Sequence, residues 1–206
     1  NTAATYSVFR QAKTPIAIYS ETDTSLTFIN PTSMINEGDT YNGRVVTKVY
    51  WGFDMLTYAN YSSVPWYSYR TSITNVTVKD KISPVSTAYW FYGMENVTSM
   101  DLTNLNTSNV KIMESMFRDC NALESINLKN FNTSNVETME YMFNRCNSLE
   151  TLDLSNFNTA KVTDMQNMFN KCYNLSEITL GANFNFVGTN GYLPAPSASY
   201  ITGATG

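Results

Sequence analysis

The sequence predicts an α/β solenoid of about five coils, each a short strand plus a short helix, with a β-rich cap at the N-terminus. A 26-residue unit recurs at residues 105–130, 131–156 and 157–182. Within each unit the apolar spacing changes from a helical period to a strand-like one. One such unit buries too little apolar surface to fold alone, so the units are expected to stack in series.

The chain divides into three regions. Residues 1–70 alternate apolar and polar side chains around turn residues, which predicts a β-rich N-terminal module or cap whose aromatic side chains close the core. Residues 71–187 hold the repeats. Residues 188–206 are rich in Pro, Ala, Ser and Gly and predict a C-terminal cap and linker. We expect both ends of the chain to be cuts in a longer protein.

The first half of each unit predicts a helix. In the central unit Val136, Met139, Met142, Phe143 and Cys146 fall at offsets 0, 3, 6, 7 and 10. At the helical angle these positions occupy an arc of about 120°. Polar side chains fill the rest of the helical circumference, so the five apolar residues are expected to face the core.

The second half of each unit predicts a short strand with its apolar side chains turned inward. Equivalent apolar triplets follow one another at spacings of 24, 26, 26 and 26 residues. The first members of these five triplets are Ile73, Val97, Leu123, Leu149 and Leu175. Residues 86–110 are therefore a diverged repeat, in which Met94 occupies the cysteine position.

Each of the three clear units contains one cysteine, at Cys120, Cys146 or Cys172. Stacking would bring these side chains into a column in which they are parallel, an unfavourable geometry for a disulfide. We therefore expect buried free thiols. A metal site would need close cysteine pairs or accompanying histidines, and the chain has no histidine. No metal and no cofactor are expected.

Asparagines recur just after each predicted strand, where their amides can satisfy backbone groups of the turns. The alternative is glycosylation at "NVT" and "NTS", but the recurrence of these motifs follows from the repeat itself. The two columns are Asn104, Asn130 and Asn156, and Asn106, Asn132 and Asn158.

Composition excludes several classes of function. Charged residues make up 15% of the chain, the net charge is −4, and no run of Lys or Arg could neutralise a nucleic acid backbone. No apolar stretch reaches the roughly 18 to 20 residues of a membrane span. A Ser-His-Asp triad is impossible without histidine, and Glu114, Asp119, Glu140 and Asp164 are predicted on outer faces. We expect a protein that is not an enzyme.

The repeat resembles that of a known family. "NTSNV", "M-x-x-MF-x-x-C-x-x-L" and "L-x-x-LDLSNFNT" at a period of 26 are similar to the repeats of BspA-like leucine-rich repeat surface proteins of bacteria, across residues 83–180. The resemblance implies a leucine-rich-repeat-like right-handed solenoid. It also implies an extracellular protein of the bacterial cell surface that adheres to host proteins or to other bacteria.

Two kinds of binding site follow as hypotheses. An extended face for protein partners would be formed by strand side chains that point away from the core. These residues are Thr77, Asp101, Asn127, Asp153 and Thr179, with Lys79 and Lys129 beside them. A glycan site could instead be built from the N-terminal aromatic residues Trp51, Trp66 and Tyr67. A third interpretation is a stalk that displays another domain and binds nothing itself.

Overall fold

The computed structural model describes residues 14–188 and 200–202. This part of the chain contains ten short strands and three single-turn 3₁₀ helices. The strands are β1 (Ile16–Ser20), β2 (Ser25–Ile29), β3 (Thr40–Tyr41), β4 (Arg44–Val45), β5 (Lys48–Trp51), β6 (Asn75–Val78), β7 (Met100–Asp101), β8 (Thr151–Leu154), β9 (Glu177–Leu180) and β10 (Tyr200–Thr202). The 3₁₀ helices are Phe53–Met55, Tyr61–Ser63 and Tyr67–Tyr69.

Most of the strands lie in two sheets. A five-stranded mixed sheet has the order β5-β1-β2-β6-β7, and a three-stranded sheet has the order β10-β9-β8. β1 pairs antiparallel with β2 and β5, whereas β6 is parallel to both β2 and β7. The N-terminal strands are thus continuous with the first strands of the repeats. Residues 1–13 of the predicted module and most of the predicted C-terminal cap and linker lie outside the described residues.

The predicted helix-plus-strand solenoid, leucine-rich-repeat-like and right-handed, is wrong. The described residues contain no α-helix, and their strands lie in a mixed five-stranded sheet, a parallel three-stranded sheet and an antiparallel two-stranded sheet. Residues 113–120 and their equivalents in the neighbouring repeats form a run of turns. The Ser115 N–H donates to the Glu140 carbonyl at 2.8 Å, and the next amide, of Met116, donates to the Met113 carbonyl at 3.3 Å. An α-helix would instead direct each of these amides to the residue four positions earlier.

The physical reason for this difference lies in the alternation of hydrogen-bond partners. Every second amide in the run bonds to the next repeat, and the amides between them bond three residues back. Two residues in each run also have left-handed backbone conformations, such as Tyr141 (φ 55°) and Arg145 (φ 61°), and these interrupt a right-handed helix. The five residues predicted to face the core are nevertheless fully buried, so the pattern predicted burial correctly and conformation incorrectly.

One continuous core runs through the repeats and the N-terminal region. Phenylalanines at equivalent positions stack in a column, with 5.4 Å between the ring centroids of Phe117 and Phe143 and 5.9 Å between those of Phe143 and Phe169. At the N-terminal end, Trp66 meets the rings of Phe28 and Phe53 edge to face. Aromatic side chains of the N-terminal region are therefore part of this core, but the prediction that they close the end of a solenoid fails with the solenoid itself.

The three cysteines are free and buried, as predicted. Each thiol donates a hydrogen bond to a phenylalanine carbonyl 29 residues earlier, as Cys146 does to Phe117 at 3.1 Å. Desolvation by burial raises the pKa of all three thiols, that of Cys172 to about 12. The thiols are therefore neutral at physiological pH and have the character of structural rather than reactive cysteines.

The asparagine columns satisfy turn backbone groups, as predicted. The side-chain amide of Asn130 donates to the carbonyls of Leu102 and Leu105, both at 2.9 Å, and Asn156 makes the equivalent pair of bonds. A threonine column was not predicted. The Thr133 hydroxyl donates to the Asn158 carbonyl at 2.9 Å and accepts the Asn158 N–H at 2.8 Å. Thr107 and Thr159 make the same double contact one repeat before and one repeat after.

Candidate functional site

The residues predicted for protein binding lie on one side of the strands. Thr77 is opposite Asp101 in the parallel β6–β7 pair, and Asp153 is opposite Thr179 in the β8–β9 pair. Asn127 occupies the equivalent position in the intervening repeat, where no strand is assigned. We call these five residues, together with Lys79 and Lys129, the polar strand face. Its members are exposed or half-buried, so they are accessible to a partner.

Three side chains of the polar strand face also have a local structural role. One side-chain oxygen of Asp101, Asn127 and Asp153 accepts the N–H two residues further on, at 3.0–3.1 Å. These contacts close the turn that follows each position. Hydrogen bonding from Ser155, first from its side chain and then from its main chain, lowers the pKa of Asp153, and the charge of Lys129 lowers it further. Asp153 therefore stays ionised at neutral pH.

The N-terminal part of the same side of the sheet is covered. Residues 30–47 fold over β1 and β2, and Val46 is buried with Ile16, Ile18 and Ile29 in a small second core. A salt bridge of 2.6 Å between Arg44 and Asp23 attaches this segment to the hairpin turn. The cover ends before β6, so the polar strand face begins where the 30–47 segment stops.

A cleft of about 520 Å³ lies at this boundary. Its polar groups include Lys79, Tyr41 and Asp80, and its apolar ones include Ile29, Pro31 and Met34. The Lys79 ammonium donates to the Tyr41 hydroxyl at 2.9 Å, and Asp80 accepts the Asn30 N–H at 2.9 Å. The bond to Tyr41 raises the pKa of Lys79. Among the described residues, Lys79 has no carboxylate partner within salt-bridge distance.

Sequence reasoning predicted only one residue of this cleft, Lys79. The spacing of the strands placed Lys79 on the outer side of the sheet, two residues after Thr77. Tyr41, Asp80 and Asn30 were missed because the cleft depends on how residues 30–47 fold across the sheet. No local pattern in the sequence specifies that contact.

The three residues predicted for glycan stacking do not form one exposed surface. Trp66 is only 1% exposed and its indole N–H donates to the Trp90 carbonyl at 2.6 Å, so it offers no face to a sugar. Trp51 is half-buried on β5 and packs against the second core. Tyr67 is in ring contact with Tyr61 and Tyr92 at centroid distances of 5.2 Å and 6.3 Å. Trp66 is thereby removed as a ligand contact.

Tyr67 belongs instead to a second surface, which was not predicted as a unit. We call it the tyrosine–arginine face, and it comprises Tyr61, Tyr67, Tyr92, Tyr141, Arg70 and Arg118. Arg70 lies over the ring of Tyr67 at 4.0 Å, and Arg118 lies over the ring of Tyr141 at 4.6 Å. Within the repeats, its outward residues differ from one unit to the next, so the repeat pattern gave no signal for it.

Clusters of metal ligands and membrane-spanning helices are absent from the described residues. This part of the chain contains no group of three or more His, Cys, Asp or Glu side chains arranged to hold a metal ion. No helix in the same part is long and apolar enough to cross a membrane.

Comparison with known proteins identifies a family. Residues 85–188, just over half of the 206 residues, match the family described as "Mycoplasma protein of unknown function, DUF285". Neither the curated proteins nor the solved structures gave a match to the chain. The matched residues cover the three clear repeats and the whole of the diverged one. The chain therefore belongs to the DUF285 family.

Proposed function

We propose that this chain is a binding module of a bacterial cell-surface protein that adheres to proteins of host or other bacterial cells, with no enzymatic activity and no cofactor. The BspA-like character of the repeats motivates the extracellular location. The observation that carries the proposal is the cleft at the N-terminal end of the polar strand face, where the Lys79 ammonium, held by Tyr41, meets both polar and apolar groups.

The polar strand face is suited to a protein partner that binds over a broad contact area. Its positions follow one another across the repeats, and the hydrogen bonds between repeats fix their spacing before any partner arrives. A preformed surface loses little conformational entropy on binding. A face of exposed polar side chains with few large apolar ones is typical of a protein that associates reversibly.

The cleft supplies what the open face lacks, a concave position that a protruding side chain can fill. Energetic hot spots in protein interfaces concentrate in such pockets. Asp39 and Asp80 also line the cleft, so its net charge does not attract an acidic group. A neutral acceptor of the partner, such as an amide oxygen, would reach the Lys79 ammonium, while its methylene groups would contact Pro31 and Met34. We therefore propose that a glutamine or asparagine side chain of the partner occupies the cleft.

Replacing Lys79 with glutamate should weaken partner binding by about tenfold or more, because it removes the ammonium donor and places a third carboxylate beside Asp39 and Asp80. Biolayer interferometry of the chain against a panel of extracellular proteins at physiological salt measures this effect. Lys171→Glu makes the same charge change at an exposed site in the turn run and serves as the control. A partner bound equally well by the two variants would exclude the cleft.

A second pair of substitutions tests the rest of the polar strand face. Asp101→Asn combined with Asp153→Asn removes two charges but keeps the turn contacts, because Asn127 already makes the same contact with an amide side chain. Weaker binding by this double variant would place the partner along the face. The absence of saturable binding to any protein on the panel would refute the adhesion proposal itself.

A further inference from the structure

The tyrosine–arginine face is built around one exposed ring. Tyr61 stacks on Tyr92 with 4.6 Å between the ring centroids and 10° between the ring planes. The Tyr61 residue is 41% exposed, whereas Tyr67 and Tyr92 are half-buried. Tyr92 covers one face of the Tyr61 ring, and Tyr67, 5.2 Å from Tyr61 and 6.3 Å from Tyr92, lies beside its edge. The exposed area therefore lies on the other face and along the rest of the edge. The result is a flat aromatic platform that points outward.

The rings beneath this platform are held in place from several sides. Arg70 covers Tyr67 at 4.0 Å, and Arg118 lies between the rings of Tyr92 and Tyr141, at 5.7 Å and 4.6 Å. Cation–π contacts of this kind restrict both partners. The platform is therefore already ordered without a ligand, and little side-chain entropy remains to be lost on binding.

Charges of both signs surround the platform. Asp119 lies between two arginines, with its carboxylate 3.6 Å from the Arg118 Nε and 3.4 Å from an Arg145 guanidinium nitrogen. The Tyr89 hydroxyl donates to the carboxylate of Glu114. Desolvation is the main cause that raises the pKa of Glu140; the charges of Asp164 and Glu114 raise it further, and that of Arg118 lowers it. Arginine donors and carboxylate acceptors thus occur together around the rings.

We propose that this face is a second binding site, separate from the cleft, and that it binds neutral glycans by stacking a sugar ring on Tyr61. The face of a tyrosine ring carries partial negative charge and is apolar, so it attracts the slightly positive C–H groups on one side of a pyranose. The hydroxyl groups of the sugar both donate and accept hydrogen bonds, which matches a surface that offers guanidinium and carboxylate groups together.

The balance of charge selects against anionic polymers. Arg70, Arg118 and Arg145 are offset by Glu114, Asp119 and Glu140, so the site has no excess of positive charge. A polyanion would have to approach three carboxylates as it reached the arginines, two of which are already engaged by Asp119. An uncharged polyhydroxyl ligand is not repelled by the carboxylates and does not depend on unpaired arginines.

The test is isothermal titration of the chain with six-unit neutral oligosaccharides of glucose, xylose, mannose and N-acetylglucosamine, and with a hyaluronan hexasaccharide as the anionic probe. Tyr61→Ala should raise the Kd of the neutral ligand about tenfold or more, because it removes the stacking surface. Tyr61→Phe keeps the ring and should stay within about twofold. Tyr173→Ala removes another exposed tyrosine, 69% exposed, and should change nothing.

Thermal melting of each variant shows whether a loss of binding reflects loss of folding. Lys79→Glu should leave glycan affinity unchanged, since the cleft is a separate site. Failure of the adhesion proposal would therefore leave the glycan proposal to be decided by its own test. Failure of every neutral oligosaccharide to bind would overturn the inference, as would binding that Tyr61→Ala leaves intact. A clear preference for the hyaluronan probe would overturn the assignment to neutral glycans.

Discussion

Phe143→Ala is expected to lower the free energy of unfolding by about 3–5 kcal/mol. Phe143 is fully buried, and its ring stacks between those of Phe117 and Phe169. Truncation would leave a cavity in the middle of the column, and the neighbouring rings cannot close it because hydrogen bonds between repeats fix the backbone spacing. Equilibrium unfolding in urea, followed by circular dichroism, measures the change.

Two matched variants make the result interpretable. Phe143→Leu retains most of the apolar volume and should cost distinctly less than Phe143→Ala. Tyr173→Ala removes an aromatic ring at a site that is 69% exposed and should change the stability by less than about 0.5 kcal/mol. If Phe143→Ala cost no more than the Tyr173 variant, the stacked column would not be part of the stabilising core.

Thr133→Val is expected to cost about 2–4 kcal/mol although the two side chains have nearly the same shape. The Thr133 hydroxyl is the partner of both the N–H and the carbonyl of Asn158. Thr133 is only 1% exposed, so water cannot replace the lost hydroxyl without rearrangement. The substitution leaves two main-chain groups of the next repeat unpaired at a buried position.

The control for Thr133→Val is Thr103→Val, because Thr103 is an exposed threonine in the neighbouring repeat region. Its hydroxyl can remain hydrated in the folded chain, so the same chemical change should alter the stability by less than about 0.5 kcal/mol. Thr133→Ser keeps the hydroxyl and should recover most of the loss. Equal urea midpoints for Thr133→Val and Thr103→Val would show that the threonine column does not couple the repeats.

The sequence was sufficient to predict which repeat positions are buried and which bond to the turns, but not the backbone conformation at these positions. Cys146 is buried and free, Phe143 is in the core, and Asn130 bonds to turn carbonyls, all as predicted. These outcomes depend on side-chain chemistry recurring at a fixed period. When repeats stack, identical residues at equivalent positions are buried or hydrogen-bonded in the same way, whether or not the backbone is helical.

The helix prediction failed because apolar spacing reports which side chains are buried, not where the amides bond. In residues 113–120 alternate amides bond to carbonyls of the next repeat. The spacing of apolar residues within one repeat contains no information about these bonds. Thr107, Thr133 and Thr159 nevertheless recur as strictly as the cysteines do, and all three are buried. Their strict recurrence is the signal in the sequence for a hydroxyl contact between repeats.

The surfaces proposed to bind ligands were predictable from the sequence only where their residues recur with the repeat. The polar strand face follows it, so Asp101 and Asp153 could be placed on the sheet surface from spacing alone. The cleft and the tyrosine–arginine face both join the non-repeating N-terminal region to the repeats: Tyr41 meets Lys79, and Tyr61 meets Tyr92. Such contacts between distant, unrelated segments are determined by tertiary packing and leave no local pattern.

Amides of each turn run bond to the next repeat, and these bonds fix the spacing of the surfaces proposed to bind ligands. The most direct test is an NMR measurement of scalar coupling across hydrogen bonds in the isotopically labelled chain. We expect coupling between the amide nitrogen of Ser115 and the carbonyl carbon of Glu140, and likewise between Phe117 and Met142. Coupling of the Ser115 amide to the carbonyl of Lys111, with helical carbon shifts through residues 113–120, would contradict the account.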